Sequence, residues 1–185
     1  AGVLLHISSL PGKYGIGTFG FEAYEFARRL KQAGQKYWQI LPLGPTGYGD
    51  SPYQSFSTFG LNPYFIDLDT LAEEDLLDPS EYTHLDFGDR ADRVDYGKLY
   101  KNRFPLLRKA WERGRERLGE EFQIFRQRES WWVEDYALFM AIKEQKEGKS
   151  WQEWEEDIRR REEAALNRYR KALSKEIEYW CFLQF

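Results

Sequence analysis

This sequence predicts an α/β fold that opens with a parallel βαβ unit and continues as a charged, mostly helical region. Three observations carry the prediction. Two short apolar runs, Val3-Leu4-Leu5-His6 and Tyr37-Trp38-Gln39-Ile40-Leu41, are bounded by turn residues and read as buried strands. Between them Ala23, Phe26, Ala27, Leu30 and Ala33 recur at helical spacing, and a separation of that length suits a crossover between parallel strands. The charge then changes abruptly. Up to Ile66 there are five Lys/Arg and three Asp/Glu, and from Asp67 on there are twenty-two and twenty-eight.

The elements follow in order. Ile7 to Gly12 leaves the first strand through a turn. Gly15-Ile16-Gly17 is a lone Gly-x-Gly without the third glycine of a dinucleotide fingerprint. Thr18 is the expected N-cap of the first helix, and Gly34 is its expected stop. The stretch 55–63 reads as irregular, and Tyr64 to Leu68 as a third short extended piece. Asp67 and Asp69 look like a carboxylate pair, although Asp69-Thr70 also suits the acidic opening of a turn at Leu71 to Asp75. Leu99 to Leu118 reads as a helix, with Pro105 in its first turn or at a kink. Ser130 is placed to cap a helix from Trp131 to Lys146 that Gly148 ends, with Trp132, Tyr136, Phe139 and Met140 on a core face. Ser150-Trp151-Gln152-Glu153 is a capping box. A last long helix runs from about Glu162 to the end, with Leu166, Tyr169, Leu173, Ile177 and Trp180 on one face. Arg159 to Glu163 reads as a solvated face with i,i+4 pairs. Two strands are few for a parallel sheet. The final aromatic run, Glu178 to Phe185, calls for a partner, so the sheet is expected to continue beyond Phe185.

Composition narrows the function. The chain has 185 residues, a net charge of -4 and no basic tract, which argues against nucleic acid. Aromatics make up 17%, with seven Trp and twelve Tyr, which fits either an aromatic core or a binder of flat ligands such as sugars or bases. Cys181 is the single cysteine, in keeping with a reducing cytoplasm, and no apolar run is long enough to span a bilayer. Two histidines, His6 and His84, and one cysteine lack metal-ligand spacing, so no metal or cofactor is expected. No nucleophile elbow or phosphate loop is present.

The stretch from Pro42 to Gln54 holds the chemistry. Three Gly and three Pro stand in the eleven residues from Pro42 to Pro52, a stiff backbone unlike a Gly/Ser linker. Tyr48, Asp50, Ser51, Tyr53 and Gln54 are set into it. Such a loop is either a well-ordered turn or the edge of a small-molecule site, and spacing does not choose between them. In a parallel βαβ unit the loops after the strands share the carboxyl edge of the sheet. That puts His6 to Ser9 beside Pro42 to Gln54. His6 reads as a ligand contact or, more commonly for such a residue, a hydrogen-bonded core histidine. Asp50 is the only carboxylate in the loop, and a lone carboxylate there binds a hydroxyl or caps a turn more often than it performs catalysis. The residues describe a binding edge and no catalytic machine.

Leu4 to Gly12, Tyr14 to Gly17, Gln35 to Gln54 and Asn62 to Leu68 resemble the amino-terminal part of the 4-α-glucanotransferase family, also called amylomaltase or disproportionating enzyme. Glu134 to Phe139 and Ile177 to Phe185 resemble its helical region, so the likeness runs through essentially the whole chain. The resemblance implies a (β/α)8 TIM barrel whose first two strands lie near Val3–His6 and Tyr37–Leu41. Residues 1–69 would be the first βαβ part of the barrel with its substrate loop, and residues 70–185 a helical subdomain inserted after the second strand. It implies a cytoplasmic enzyme that transfers α-1,4-glucan segments by a retaining, metal-free double displacement between carboxylates.

The family's catalytic carboxylates follow the third barrel strand, so no catalytic residue is assigned in this chain. Ser51 and Tyr53 match contacts to the donor sugar, and Tyr48 matches an aromatic of a second glucan groove, joined there by Tyr96 or Tyr100. Arg160-Arg161-Glu162-Glu163 departs from the family's frequent Asp-Pro between two helices. The expected partners are maltooligosaccharides and the remainder of the barrel. An α-amylase-type hydrolase fragment and a non-catalytic glucan-binding module are the rival readings. This 185-residue chain alone is expected to be inactive. Glucose and longer maltodextrins formed on incubating it with maltotriose would contradict that.

Overall fold

The computed structural model describes residues 1–47, 51–88, 90 and 92–185. Two strands are described, β1 (Gly2–Leu4) and β2 (Tyr37–Gln39). They pair in parallel, with Gly2 opposite Tyr37 and Leu4 opposite Gln39. Helix α1 (Phe21–Gln32) joins them, so the βαβ order read from the apolar runs is present. The strands are shorter than those runs and are not buried. Leu4 is 58% exposed and Tyr37 72%. A parallel strand is hidden only where layers cover both faces of its sheet, and two strands with one helix do not provide them.

Helix α1 starts later than Thr18. Gly20 holds the cap position, and the Thr18 hydroxyl instead donates to Asp67 Oδ2 at 2.6 Å. At the other end Gly34 adopts φ +71°, a left-handed conformation that releases the chain toward β2. Tyr64 to Leu68 is not a strand. Asn62 Oδ1 accepts from the Tyr64 amide at 3.1 Å and Pro63 presets φ, so Pro63–Phe65 forms a 3-10 turn. Asp67 then caps α2 (Leu68–Glu73) by accepting from the Thr70 amide at 2.9 Å. The supposed carboxylate pair is therefore two separate structural devices, since Asp69 takes other partners.

Helix α3 (Tyr96–Arg117) begins three residues before the apolar pattern suggests, because Asp95 Oδ1 accepts from the Lys98 amide at 3.0 Å. Pro105 thus lies in the helix interior, where it has no N–H to donate to the preceding turn. The sequence offered no sign of α4 (Gly119–Arg128). Helix α5 (Val133–Gln145) has no Ser130 cap, and the Trp132 indole N–H bonds Glu129 Oε2 at 2.9 Å just before it. Ser150 and Glu153 do form their capping box, around the 3-10 turn Trp151–Glu153. A short helix, α6 (Glu156–Arg159), follows, and the expected last long helix from about Glu162 is two, α7 (Glu163–Ala172) and α8 (Ser174–Gln184). Arg161, at φ +58°, turns the chain between α6 and α7 without a proline, and the Arg160–Glu156 i,i+4 pair closes at 2.6 Å.

The chain divides into two compact units, residues 1–114 and 115–185. In the first, Ile7, Phe65, Leu68, Leu99 and Leu107 form the core around a charged side chain, Arg103, which is 0% exposed. Its guanidinium donates to the Tyr14 carbonyl at 3.4 Å and to the Ile66 carbonyl. Burial lowers the Arg103 pKa to about 10, with the negative charge of Asp67 working the other way, so the group stays cationic. Nearby, Asp69 accepts from the Tyr14 phenol at 2.7 Å, the Tyr82 phenol at 2.9 Å and Lys13 Nζ at 3.2 Å. Burial opposes ionisation of Asp69, yet these three donors together hold its carboxyl below the usual range. The Tyr14 phenol is correspondingly pushed up to about 12, by burial first and by Asp69 second.

In the second unit α5 packs on α8. The Trp180 indole donates to Glu144 Oε2 at 3.0 Å, and Phe182 meets the Phe122 ring of α4 at 5.4 Å. Leu166, Tyr169, Leu173, Ile177 and Trp180 are all buried, as their spacing requires. In the closing aromatic run Tyr179 to Leu183 are buried, while Phe185 is 42% exposed.

Removing the Arg103 side chain would leave two carbonyls unpaired and a void in the core. Arg103→Ala is expected to cost about 3 kcal/mol or more of stability, measured by urea unfolding; a change within experimental error would contradict this role. A second expectation concerns Glu81, which accepts from Arg113 Nη1 at 2.7 Å, from Arg113 Nη2 at 3.0 Å and from Lys109 at 3.1 Å. The Arg113 guanidinium holds it down to about 2, against 4.5 for a free glutamate. A depressed folded-state pKa contributes stability that is present above the free value and is lost as pH falls through the folded value. Between about pH 4.5 and 2 the wild type should lose more stability than Glu81→Gln. Parallel pH profiles for the two would contradict the pairing.

Candidate functional site

The site is built where β1 and β2 end. The Leu5 amide donates to the Gln39 carbonyl at 3.0 Å, and the Trp38 indole donates to the Leu5 carbonyl at 2.7 Å. The two strand ends are thereby held side by side, and the loops that leave them start as neighbours. The loops expected to share this edge, 6–9 and 42–54, thus leave from adjacent strand ends.

The longer loop is closed at its base and braced on its described returning side. The Asn62 amide donates to the Leu43 carbonyl at 2.9 Å, which ties the two ends of the excursion together. Thr46 and Ser55 form an antiparallel bridge. Gly44 is needed where it stands, because a Cβ there would sit 2.2 Å from Ser55 Oγ. Ser55 Oγ donates to the Ser57 carbonyl at 2.7 Å, and Ser57 Oγ accepts from the Phe59 amide at 3.1 Å and the Gly60 amide at 2.9 Å. Short serine side chains thus take over backbone pairing that no strand or helix provides.

Ser51 and Tyr53 lie together at the turn of this loop. Ser51 Oγ accepts from the Tyr53 amide at 3.4 Å, and the Ser51 carbonyl accepts from the Gln54 amide at 3.2 Å. Tyr53 presents its ring outward and is 72% exposed. Tyr48 and Asp50 fall outside the described residues. Phe56 and Phe59, on the returning half of the loop, are 38% and 54% exposed. The sequence reading did not single them out, although Ser-Phe-Ser-Thr-Phe, with rings set among small polar residues, was the available signal.

His6 sits at the end of β1 with its ring edge-on to Phe65, the centroids 5.5 Å apart at 77°. Its Nδ1 is buried without a hydrogen-bond partner among the described residues, and the residue as a whole is half-buried. Burial lowers its pKa below 6.5. The imidazole is therefore neutral at neutral pH and able to donate or accept one hydrogen bond from each nitrogen. On α3, Tyr96 meets Tyr64 at 5.6 Å, Tyr64 meets Phe104 at 5.5 Å, and Phe104 meets Tyr100 at 5.3 Å. Within this aromatic row Tyr100 is the exposed ring, at 65%, and Tyr96 is half-buried. Among the described residues no three His, Cys, Asp or Glu side chains gather as metal ligands would. No described helix is long and apolar enough to cross a membrane.

The arrangement offers flat exposed rings, a serine hydroxyl and a neutral imidazole on a braced scaffold. Such a surface suits a neutral, hydroxyl-rich ligand, and among the described residues it shows no nucleophile beside an activating base. For His6, burial implies titration below its ordinary value of 6.5, and its protonation should cost stability as pH falls from there. Following the His6 ring protons by NMR checks this, and a midpoint at or above 6.5 would contradict it.

The comparisons with known proteins bear on the whole of this chain. A family model described as 4-alpha-glucanotransferase matches residues 5–185. A 4-alpha-glucanotransferase of Clostridium butyricum is 51% identical over 181 residues, covering 98% of this chain and 37% of the relative. One of Thermus thermophilus is 51% identical over 189 residues, with 100% and 37% covered. Among solved structures, the amylomaltase of Streptococcus agalactiae in complex with acarbose superposes with a TM-score of 0.94 at 48% identity, over 99% of this chain and 37% of that one. The chain therefore spans somewhat over a third of the length of the curated relatives it matches.

Proposed function

This chain belongs to the 4-alpha-glucanotransferase family, and from that premise we propose that the whole protein transfers α-1,4-glucan segments between maltodextrin or starch chains. A carboxylate attacks the anomeric carbon of the donor sugar, and a second carboxyl group protonates the leaving oxygen. The second group then takes a proton from an incoming sugar hydroxyl, which occupies the place water would take in a hydrolase. Both groups are supplied from outside these residues. Two inverting steps at one carbon retain its configuration, and neither step needs a metal.

In this reading β1 and β2 are the first two strands of a (β/α)8 barrel. Residues 1–69 form its opening with the substrate loop, and residues 70–185 follow as an inserted helical subdomain, in a cytoplasmic enzyme. The loop from Pro42 to Gln54 is the lip that holds the donor glucan. The Tyr53 ring stacks on the sugar next to the cleaved bond, the Ser51 hydroxyl and the Asp50 carboxylate hold sugar hydroxyls, and Tyr48 contacts a more distant part of the chain. Tyr100, as the exposed ring of α3, is the better partner for Tyr48 than Tyr96. The observation that carries the reading is the Tyr53 ring, 72% exposed on a loop braced by the Asn62–Leu43 bond and the Thr46–Ser55 bridge. An aromatic side chain presented to solvent on so stiff a base is pre-organised to receive a flat ligand, so little order has to be gained on binding.

The test compares two variants of the full-length protein on maltotriose. Tyr53→Ala should lower kcat/KM by about tenfold or more, since contacts beside the reacting carbon act in the transition state. Tyr48→Ala should change it far less on so short a substrate. Equal losses would contradict the assignment, and release of reducing sugar without longer products would point to hydrolysis.

A further inference from the structure

The second unit contains a cavity of about 370 Å³ that the lip does not involve. It lies between α5, the 3-10 turn Trp151–Glu153, α6 and α7, and its walls include Asp135, Phe139, Trp151, Trp154, Arg159 and Arg161. Its size falls in the range of small-molecule sites. Trp151 stands half in solvent, 49% exposed, on a turn that the Ser150–Glu153 capping box holds rigid. Trp154 is 8% exposed and tilts against Phe139 with centroids 5.3 Å apart. The Trp154 indole N–H is buried and has no hydrogen-bond partner among the described residues, which is unusual for a buried donor.

The charged groups of the wall are already paired. Arg161 donates to Asp135 Oδ2 at 2.8 Å, Arg170 lies 3.8 Å from Asp135 Oδ1, and Arg159 Nη1 donates to the Gln152 carbonyl at 3.1 Å. With its cations matched in this way, the cavity is poorly suited to a phosphate or a carboxylate. The Arg161 and Asp135 side chains stand at the solvent edge of the cavity, 57% and 55% exposed, where ligand hydroxyls can reach them. What suits aromatic faces bordered by paired, planar polar groups is a neutral molecule with C–H faces and a rim of hydroxyls.

We propose that this cavity is a further non-catalytic binding site for an α-glucan segment, separate from the lip and from the Tyr48–Tyr100 groove, with Trp151 as its stacking platform. The inference rests on the glucan-transfer reading for the identity of the sugar. A polymeric substrate held at two places raises its effective concentration at the lip, which gives such a site a use without any chemistry of its own.

The test uses the full-length protein in native gels cast with soluble amylose. Tyr53→Ala, which removes the lip ring, should still be retarded. Adding Trp151→Ala should cut the remaining retardation several-fold, while adding Trp151→Phe, which keeps a ring, should preserve most of it. The proposal is overturned if Tyr53→Ala alone abolishes retardation, if Trp151→Ala adds nothing to it, or if the Phe variant loses as much as the Ala variant. Disproportionation of maltotriose by the wild type judges the transfer reading separately. Retardation that depends on Trp151 in a protein without transfer would sink that reading and uphold the site; transfer without such retardation would sink the site alone.

Discussion

A cation with no exposure to water stands at the centre of the first unit, and much of the local structure is arranged to keep it there. Arg103 gives up its hydration and receives in exchange two carbonyl oxygens, from Tyr14 and Ile66. Those carbonyls belong to segments far apart in the chain, so the guanidinium can be satisfied only when both are in place. The same segments carry the next layer of contacts. Asp67 caps α2 and accepts the Thr18 hydroxyl, while Asp69 gathers the phenols of Tyr14 and Tyr82. A buried charge is a poor source of net stability, but it is intolerant of alternative packings, because each of them would strand it.

That intolerance reaches the candidate site through a short run of residues. Ile66 is held by Arg103. Phe65, its neighbour, packs edge-on against His6 and accepts the Phe19 amide, and Asn62 ties back to Leu43 at the base of the lip. The lip is thus anchored from the same stretch that receives the buried charge. Its outer part is braced by serine hydroxyls and close glycine contacts, and it carries its rings into solvent. Rigidity at the base and exposure at the tip are what a lip needs if it is to hold one sugar still within a long, flexible polymer.

The helices were legible in proportion to how local their signals are. Gly34 and the Ser150–Glu153 box acted where they stand, because a cap needs only its own turn. The buried face from Leu166 to Trp180 was also readable from spacing, although it spans two helices broken at Leu173. Other local signals were outvoted. Thr18 and Ser130 are good caps that cap nothing. Thr18 is taken by Asp67, and the turn before α5 is held by the Trp132–Glu129 bond. Helix α4 is a short, charged segment whose one buried residue, Phe122, has meaning only once Phe182 is beside it. Within the closing aromatic run Tyr179 to Leu183 are buried while Phe185 stays 42% exposed, a division that depends on the helices packed against it.

The order of strand, helix and strand, the stiffness of the Pro42–Gln54 loop and the family likeness of its residues could all be read before any coordinates, because each depends on neighbours within a few positions. The partnership of His6 with Phe65, the separate employment of Asp67 and Asp69, the burial of Arg103 and the cavity beside Trp151 could not. Each joins residues distant in the chain, and whether a charge is paired or a ring is covered is settled by what packs against it rather than by what stands next to it in sequence.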